Sequence, residues 1–276
     1  MKVKIKNNGK YDLNDSDASN EKEAIAEIRK NCIRDMKQIF VHVPKNYGTS
    51  TAHIIFKMTD SEDPDCDANV TTHMTANQML SIKKYSDHGT FCITRNPYSR
   101  FCSVVNWRSR PGKDWLMKEL TNLKTPIYSG NDHHYSNQNI RYIKIKSLIY
   151  TILTEYLFED IVQKPTQYGW DRDSNKLDRM FLPQTTWHSE STKLYKSEDY
   201  HNEMIRLVRD LKIPEKNRSL ESLLGTHHNN QRGSRRGEAN RALHTILKSE
   251  PELHKKFLEY YHDDFLLFDY GDYVLK

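Results

Sequence analysis

The sequence predicts an α/β protein: a central parallel sheet flanked by helices, continuing into a helical C-terminal part. Three observations carry this. An apolar, β-favouring run ends at Pro44; a lysine, a glycine and hydroxyl residues then lead into Ile54-Ile55-Phe56, a strand–turn–helix pattern over residues 39–58. The pattern recurs at 90–109, where Arg95 ends a strand and Pro97 enters a first helical turn, in which its missing N–H costs nothing. Two such units in succession build a parallel sheet, because parallel neighbours need a crossover. Residues 197–211, 237–248 and 251–262 then carry apolar residues at helical spacing.

The elements follow in order. Residues 1–19 are polar and read as a flexible N-terminal segment, leaving 20–276 as a single domain. Residues 21–37 place Ala24, Ile25, Ile28, Ile33 and Met36 near helical spacing. A strand over 39–43 and a helix over 50–58 come next. The stretch 59–69 is a loop with five acids, Asp60, Glu62, Asp63, Asp65 and Asp67. Thr75 is placed to cap a helix reaching Tyr85. Strand 90–95 and helix 97–109 follow. Residues 107–137 are irregular and rich in aromatics, histidine and asparagine, as long functional insertions often are. Residues 140–158 read as a buried helix and 163–178 as a polar loop.

Composition excludes several classes. The 276 residues have a formal net charge of +5 and a mean hydropathy of -0.85. No apolar run approaches the about 20 residues that span a bilayer. The N-terminus, Met-Lys-Val-Lys-Ile-Lys, lacks the apolar stretch of a secretion signal. A soluble, cytoplasmic protein is expected, with no membrane partner. Cys32, Cys66, Cys92 and Cys102 form no Cys-x-x-Cys pair, the usage of a reducing compartment without a zinc site. His133-His134 lacks an evident third ligand, and no metal is expected.

The turn at 44–51 is suited to an anion. N–H groups at a helix start point outward unpaired, and the helix dipole favours negative charge there. Lys45 adds a mobile cation, and Thr49, Ser50 and Thr51 add hydroxyl donors. The nucleoside-triphosphate loop sets its lysine directly before the hydroxyl residue; here Lys45 precedes Gly48. In the second unit Arg95 and Ser103, an arginine fork and a hydroxyl about two turns into the helix, suit a terminal phosphate.

These residues carry a resemblance. Pro44-Lys-Asn-Tyr-Gly-Thr-Ser resembles the 5′-phosphosulfate loop of sulfotransferases that use 3′-phosphoadenosine 5′-phosphosulfate (PAPS). Arg95-Asn-Pro-Tyr-Ser-Arg-Phe-Cys-Ser103 resembles their 3′-phosphate motif, in the expected order. His73-Met-Thr-Ala, Phe181-Leu-Pro-Gln184, Leu194-Tyr195 and the run from Tyr260 to Tyr270 are similar to further signposts, so the likeness spans residues 38–271. It implies a P-loop-like sulfotransferase fold and sulfuryl transfer from PAPS to a hydroxyl or amine of a small molecule, releasing 3′-phosphoadenosine 5′-phosphate (PAP). It extends to enzymes tailoring bacterial secondary metabolites, saxitoxin-type alkaloids among them.

The resemblance implies catalytic Lys45 and His73, the histidine as general base. It implies donor contacts from Lys45, Asn46, Tyr47, Gly48, Thr49, Ser50, Thr51, Arg95, Ser103 and Tyr195. Arg232, Arg235 and Arg236, in the basic segment 231–241, are expected as a flap over the nucleotide; a solvated linker and a nucleic-acid patch are the other readings. His53, His88, Asp87 and the acids of 59–67 are rival bases. The family often carries Thr-Gly where this chain has Asn46-Tyr47. Tyrosine resists a positive φ, so either the turn is ordinary or Tyr47 lines the pocket. A P-loop-like small-molecule kinase and a non-catalytic nucleic-acid binder are the competing functions.

Overall fold

The computed structural model describes residues 18–33, 36–59, 73–108, 138–157, 179–216, 218–227 and 234–271. Among them, three strands form one parallel sheet in the order β1 (Gln38–Phe40), β2 (Gly89–Thr94), β3 (Lys193–Lys196). Ile39 lies opposite Thr90, and Cys92 opposite Leu194. Buried from Thr90 to Thr94, the central strand carries Phe91, Cys92 and Ile93 in succession because both faces are covered.

The chain wraps this sheet in order. Helix α1 (Ala18–Arg29) packs Ala24 and Ile28 near Ile39. It stops short of the predicted Lys37 because Asn31 turns the chain back. Its amide Nδ2 donates to the Phe40 carbonyl at 2.7 Å, and Cys32 bridges Ile39 antiparallel. Helix α2 (Gly48–Met58) crosses one face of the sheet. Helix α3 (Ala76–Leu80) is shorter than expected and gives way to a 3-10 turn at Lys83–Tyr85. Thr75 caps α3 reciprocally with Gln78, as the sequence predicts. Helix α4 (Pro97–Arg108) follows β2, and α5 (Gln138–Thr151) runs on into a π-helical turn, Ile152–Tyr156.

After β3 come α6 (Tyr200–Leu211) and α7 (Leu220–His227). The short α7 has no counterpart in the sequence reading; Leu220, Leu223 and Leu224 are its whole apolar signal. Side-chain alternation sends Phe40, Phe91, Ile93 and Tyr195 to the face covered by α2, α6 and α7. Val41, Val43 and Cys92 face Trp187 and Ala76 on the other side. Cys92 and Cys102 are core residues, and burial pushes both thiols up to about 12.

The chain ends in α8 (Ser234–Ser249), α9 (Pro251–Tyr260) and α10 (His262–Leu267). Helices α4, α5, α8 and α9 share the largest core, with Phe101, Leu148, Ile149, Ala242, Leu243, Ile246 and Phe257 inside it. From Ser234 the basic segment expected as a flap is helix, because Ala239, Ala242 and Leu243 recur at helical spacing and are buried. Arg235 and Arg236 lie in its first turn; Arg232, Cys66, the acidic loop and the insertion from 109 to 137 lie outside the described residues. Among the described residues, no helix is long and apolar enough to cross a membrane.

Candidate active site

Strands β1 and β2 are parallel neighbours, so the loops leaving their C-terminal ends meet. Open α/β sheets bind ligands at this edge. The first loop is no ordinary turn. Lys45 and Tyr47 both take the left-handed region, at φ 66° and 61°. Gly48 is needed for space: a Cβ there would lie 1.8 Å from Cδ2 of His42. The imidazole of His42 packs against the bare Cα and stacks on Phe40, ring centroids 5.7 Å apart.

The two helix starts differ. At α4, Asn96 Oδ1 accepts the Tyr98 N–H at 3.1 Å, and Glu198 Oε1 accepts the Asn96 N–H at 2.7 Å. At α2, Tyr47 sits in the N-cap position and makes no side-chain cap bond. The anion-seeking N–H groups therefore belong to α2. Thr49 is exposed and Ser50 half-buried in its first turn, where their hydroxyls can join the backbone donors. Thr51 is buried, and its Oγ1 lies 3.0 Å from the Tyr200 hydroxyl, so it braces the helix.

Arg95 joins the two loops. Its Nη1 donates to the Lys45 carbonyl at 3.1 Å and its Nε to Ser99 Oγ at 2.9 Å. Ser103, on α4 one turn past Ser99, shares that face and is 8% exposed. The Lys45 ammonium lies over Trp107, 5.4 Å from the ring centroid. Asn46 is buried, and its Nδ2 donates to the Ile93 carbonyl at 3.0 Å and to Gln184 Oε1. Its side chain holds the loop to β2, which leaves the backbone as the part that can face a ligand.

Two residues that the sequence reading did not place in the site hold it together. Gln184 accepts the Arg95 N–H at 2.8 Å and donates to the Arg95 carbonyl at 2.7 Å. Buried Arg100 donates to the carbonyls of Pro44 (3.1 Å), Leu182 (2.8 Å) and Met180 (2.7 Å). Both lie inside the motifs quoted above, but a glutamine after a proline and an arginine in the first turns of a helix signal surface polarity as readily as a buried brace.

His73 and His42 form a pair. The rings are 4.3 Å apart, and His73 Nδ1 lies 2.8 Å from the His42 carbonyl. A carbonyl only accepts, so Nδ1 carries the proton and Nε2 is the basic nitrogen of neutral His73. Trp187, fully buried, donates its indole N–H to the His73 carbonyl at 3.3 Å. Burial holds the His42 pKa well below 6.5, and nearby His73 and Lys45 push it further down. His42 is therefore neutral near pH 7 and orients its neighbour.

The remaining candidates separate. Tyr195 is 1% exposed and packs between the sheet and α6, with the Arg206 guanidinium 4.8 Å from its ring centroid. His88 pairs with Asp87 at 3.1 Å just before β2, at the strand's N-terminal end. A six-residue strand runs roughly 20 Å, which removes both rival bases from the loops. His53 lies within α2, half-buried.

Comparisons with curated proteins and with solved structures returned no match. A family model described as the sulfotransferase family matches residues 31–271. That span holds the loops after β1 and β2, the histidine pair and the closing helices, and the chain belongs to the sulfotransferase family.

Proposed function

We propose that this protein transfers the sulfuryl group of PAPS to a hydroxyl or amine of a small-molecule acceptor, releasing PAP. The carrying observation is the junction of two anion-receptive loops through the bond from Arg95 Nη1 to the Lys45 carbonyl. One loop offers a helix start that its own N-cap side chain does not fill, plus Lys45. The other offers a guanidinium fork with Ser103. A ligand with phosphate groups at two separate positions fits this set better than a triphosphate, because the cations lie in different loops.

In this reading the acceptor oxygen or nitrogen forms a bond to sulfur as the sulfur–oxygen bond to the 5′-phosphate breaks. Lys45 and the α2 N–H groups meet the charge gathering on the departing phosphate oxygen. The acceptor proton moves to His73 Nε2. The acceptor is a small metabolite of the kind tailored in secondary metabolism, and the protein works in the cytoplasm without a nucleic-acid partner.

Thermal shift with PAP, ATP plus magnesium, and RNA tests the donor class, since a ligand that binds only the folded state raises its melting temperature. PAP is expected to stabilise most. Stabilisation by ATP with magnesium alone would replace this reading with a kinase. Turnover of sulfur-labelled PAPS against an acceptor panel tests the chemistry. Lys45→Ala should lower turnover by about a hundredfold or more, the scale of losing a donor to the developing charge.

A further inference from the structure

We infer that Tyr47 is a positioning residue: its ring, backed by Tyr200, holds the Arg95 guanidinium in place for the donor's 3′-phosphate. This rests on the PAPS reading above. The starting point is backbone cost. Tyr47 sits at φ 61°, a conformation natural to glycine and strained for an aromatic residue. Were the turn alone required, glycine would serve it better, so the side chain must contribute.

The contacts show what it contributes. One face of the Tyr47 ring stacks on Tyr200, centroids 4.8 Å apart and planes at 24°. The Arg95 guanidinium carbon lies 5.7 Å from the Tyr47 centroid, within cation–π range. Tyr200 is itself fixed, its hydroxyl 3.0 Å from Thr51 Oγ1. A continuous chain of contacts thus runs from α2 through α6 and the phosphate loop to Arg95. Ser99 and the Lys45 carbonyl hold two edges of the guanidinium, and Tyr47 adds a third constraint from a different direction. A long side chain held this way surrenders less rotamer freedom when an anion arrives.

The test compares two probes, PAP and adenosine 5′-phosphate, which lacks the 3′-phosphate. Affinities are measured by calorimetry for wild type, Tyr47→Phe, Tyr47→Leu, Tyr47→Gly, Arg95→Ala and Arg95→Ala/Tyr47→Leu. Tyr47→Phe should match wild type, because the ring face makes the contacts. Tyr47→Leu and Tyr47→Gly should bind PAP about tenfold more weakly, the scale of a partly desolvated cation–π contact. Their affinity for adenosine 5′-phosphate should stay within about twofold. The double variant should bind PAP no worse than Arg95→Ala, since Tyr47 acts through the arginine. KM for PAPS should rise with kcat nearly unchanged. Glycine relieves the φ strain, so Tyr47→Gly keeps the test open if the leucine variant fails to fold. An equal loss of both nucleotides, or no loss of either, overturns the inference. Wild type binding both nucleotides equally overturns the donor reading itself, a separate result.

Discussion

One hydrogen bond fixes the tautomer of His73, the proposed general base. The His42 carbonyl at Nδ1 fixes the tautomer, and the basic nitrogen is then Nε2. His73→Asn should leave PAP affinity near wild type while kcat falls by about 10²–10⁴-fold. The pH–rate profile should lose its acid limb; an unchanged limb with normal turnover would place the base elsewhere, His53 first. The partner histidine makes a different prediction. The folded-state pKa of His42 lies below its ordinary 6.5, so the unfolded chain binds the proton more readily. Stability should be full above about pH 6.5 and decline as pH falls from there towards the folded value, by up to about 1.4 kcal/mol per pH unit. Urea titrations of wild type and His42→Asn across pH 5–7.5 would check this. Equal slopes in the two proteins would show that His42 is not the group responsible.

At the scale of elements, the loop between β1 and α2 depends on a close fit between glycine and imidazole. Gly48→Ala places a methyl within 2 Å of a ring that Phe40 and His73 enclose. The expected loss is about 1–3 kcal/mol, typical of overpacking. Gly48→Ala/His42→Ala should recover most of it, because the clash needs both partners; additive losses in a double-mutant cycle would refute the packing account. The start of α4 has a complementary logic. Asn96 Oδ1 and Glu198 take the N–H groups of Tyr98 and Asn96 there, so in the proposed function an anion on that side would rely on the side chains of Arg95 and Ser103.

Over the whole molecule, the C-terminal segment works as a latch on the site. Tyr261 donates its hydroxyl to the Phe181 carbonyl at 2.7 Å, and Tyr270 to Glu198 Oε2 at 2.9 Å. Between them Asp264, fully buried, accepts the N–H groups of Gln184 (2.8 Å) and Thr185 (3.0 Å). Burial raises its pKa, against the opposing pull of Arg100 and these donors. Because Gln184 in turn grips Arg95 and Asn46, a carboxylate about 220 residues downstream of the β1–α2 loop supports that loop through a single intermediary. Asp264→Ala should cost about 3 kcal/mol or more by leaving two buried donors unmet, with Asp264→Asn losing less. PAP affinity should fall along with stability. Unchanged urea midpoints would show that the latch does not hold.

The local patterns that needed no partner were legible in the sequence. The two strand–turn–helix units, the Thr75 cap and Pro97 in a first helical turn follow from apolar period, capping chemistry and backbone limits. These act within about ten residues. What the tertiary structure decided is where distant groups meet. It turned Asn46 inward to Gln184 and set Tyr47 between Tyr200 and Arg95. It also buried Ala239, Ala242 and Leu243 of α8 in the core. Each outcome depends on a partner 50 or more residues away or on burial against another element, and no local spacing encodes that. His42 shows the division most plainly. In the chain it is one more histidine in an apolar run; folded, its ring requires Gly48 and its carbonyl sets the proton on His73.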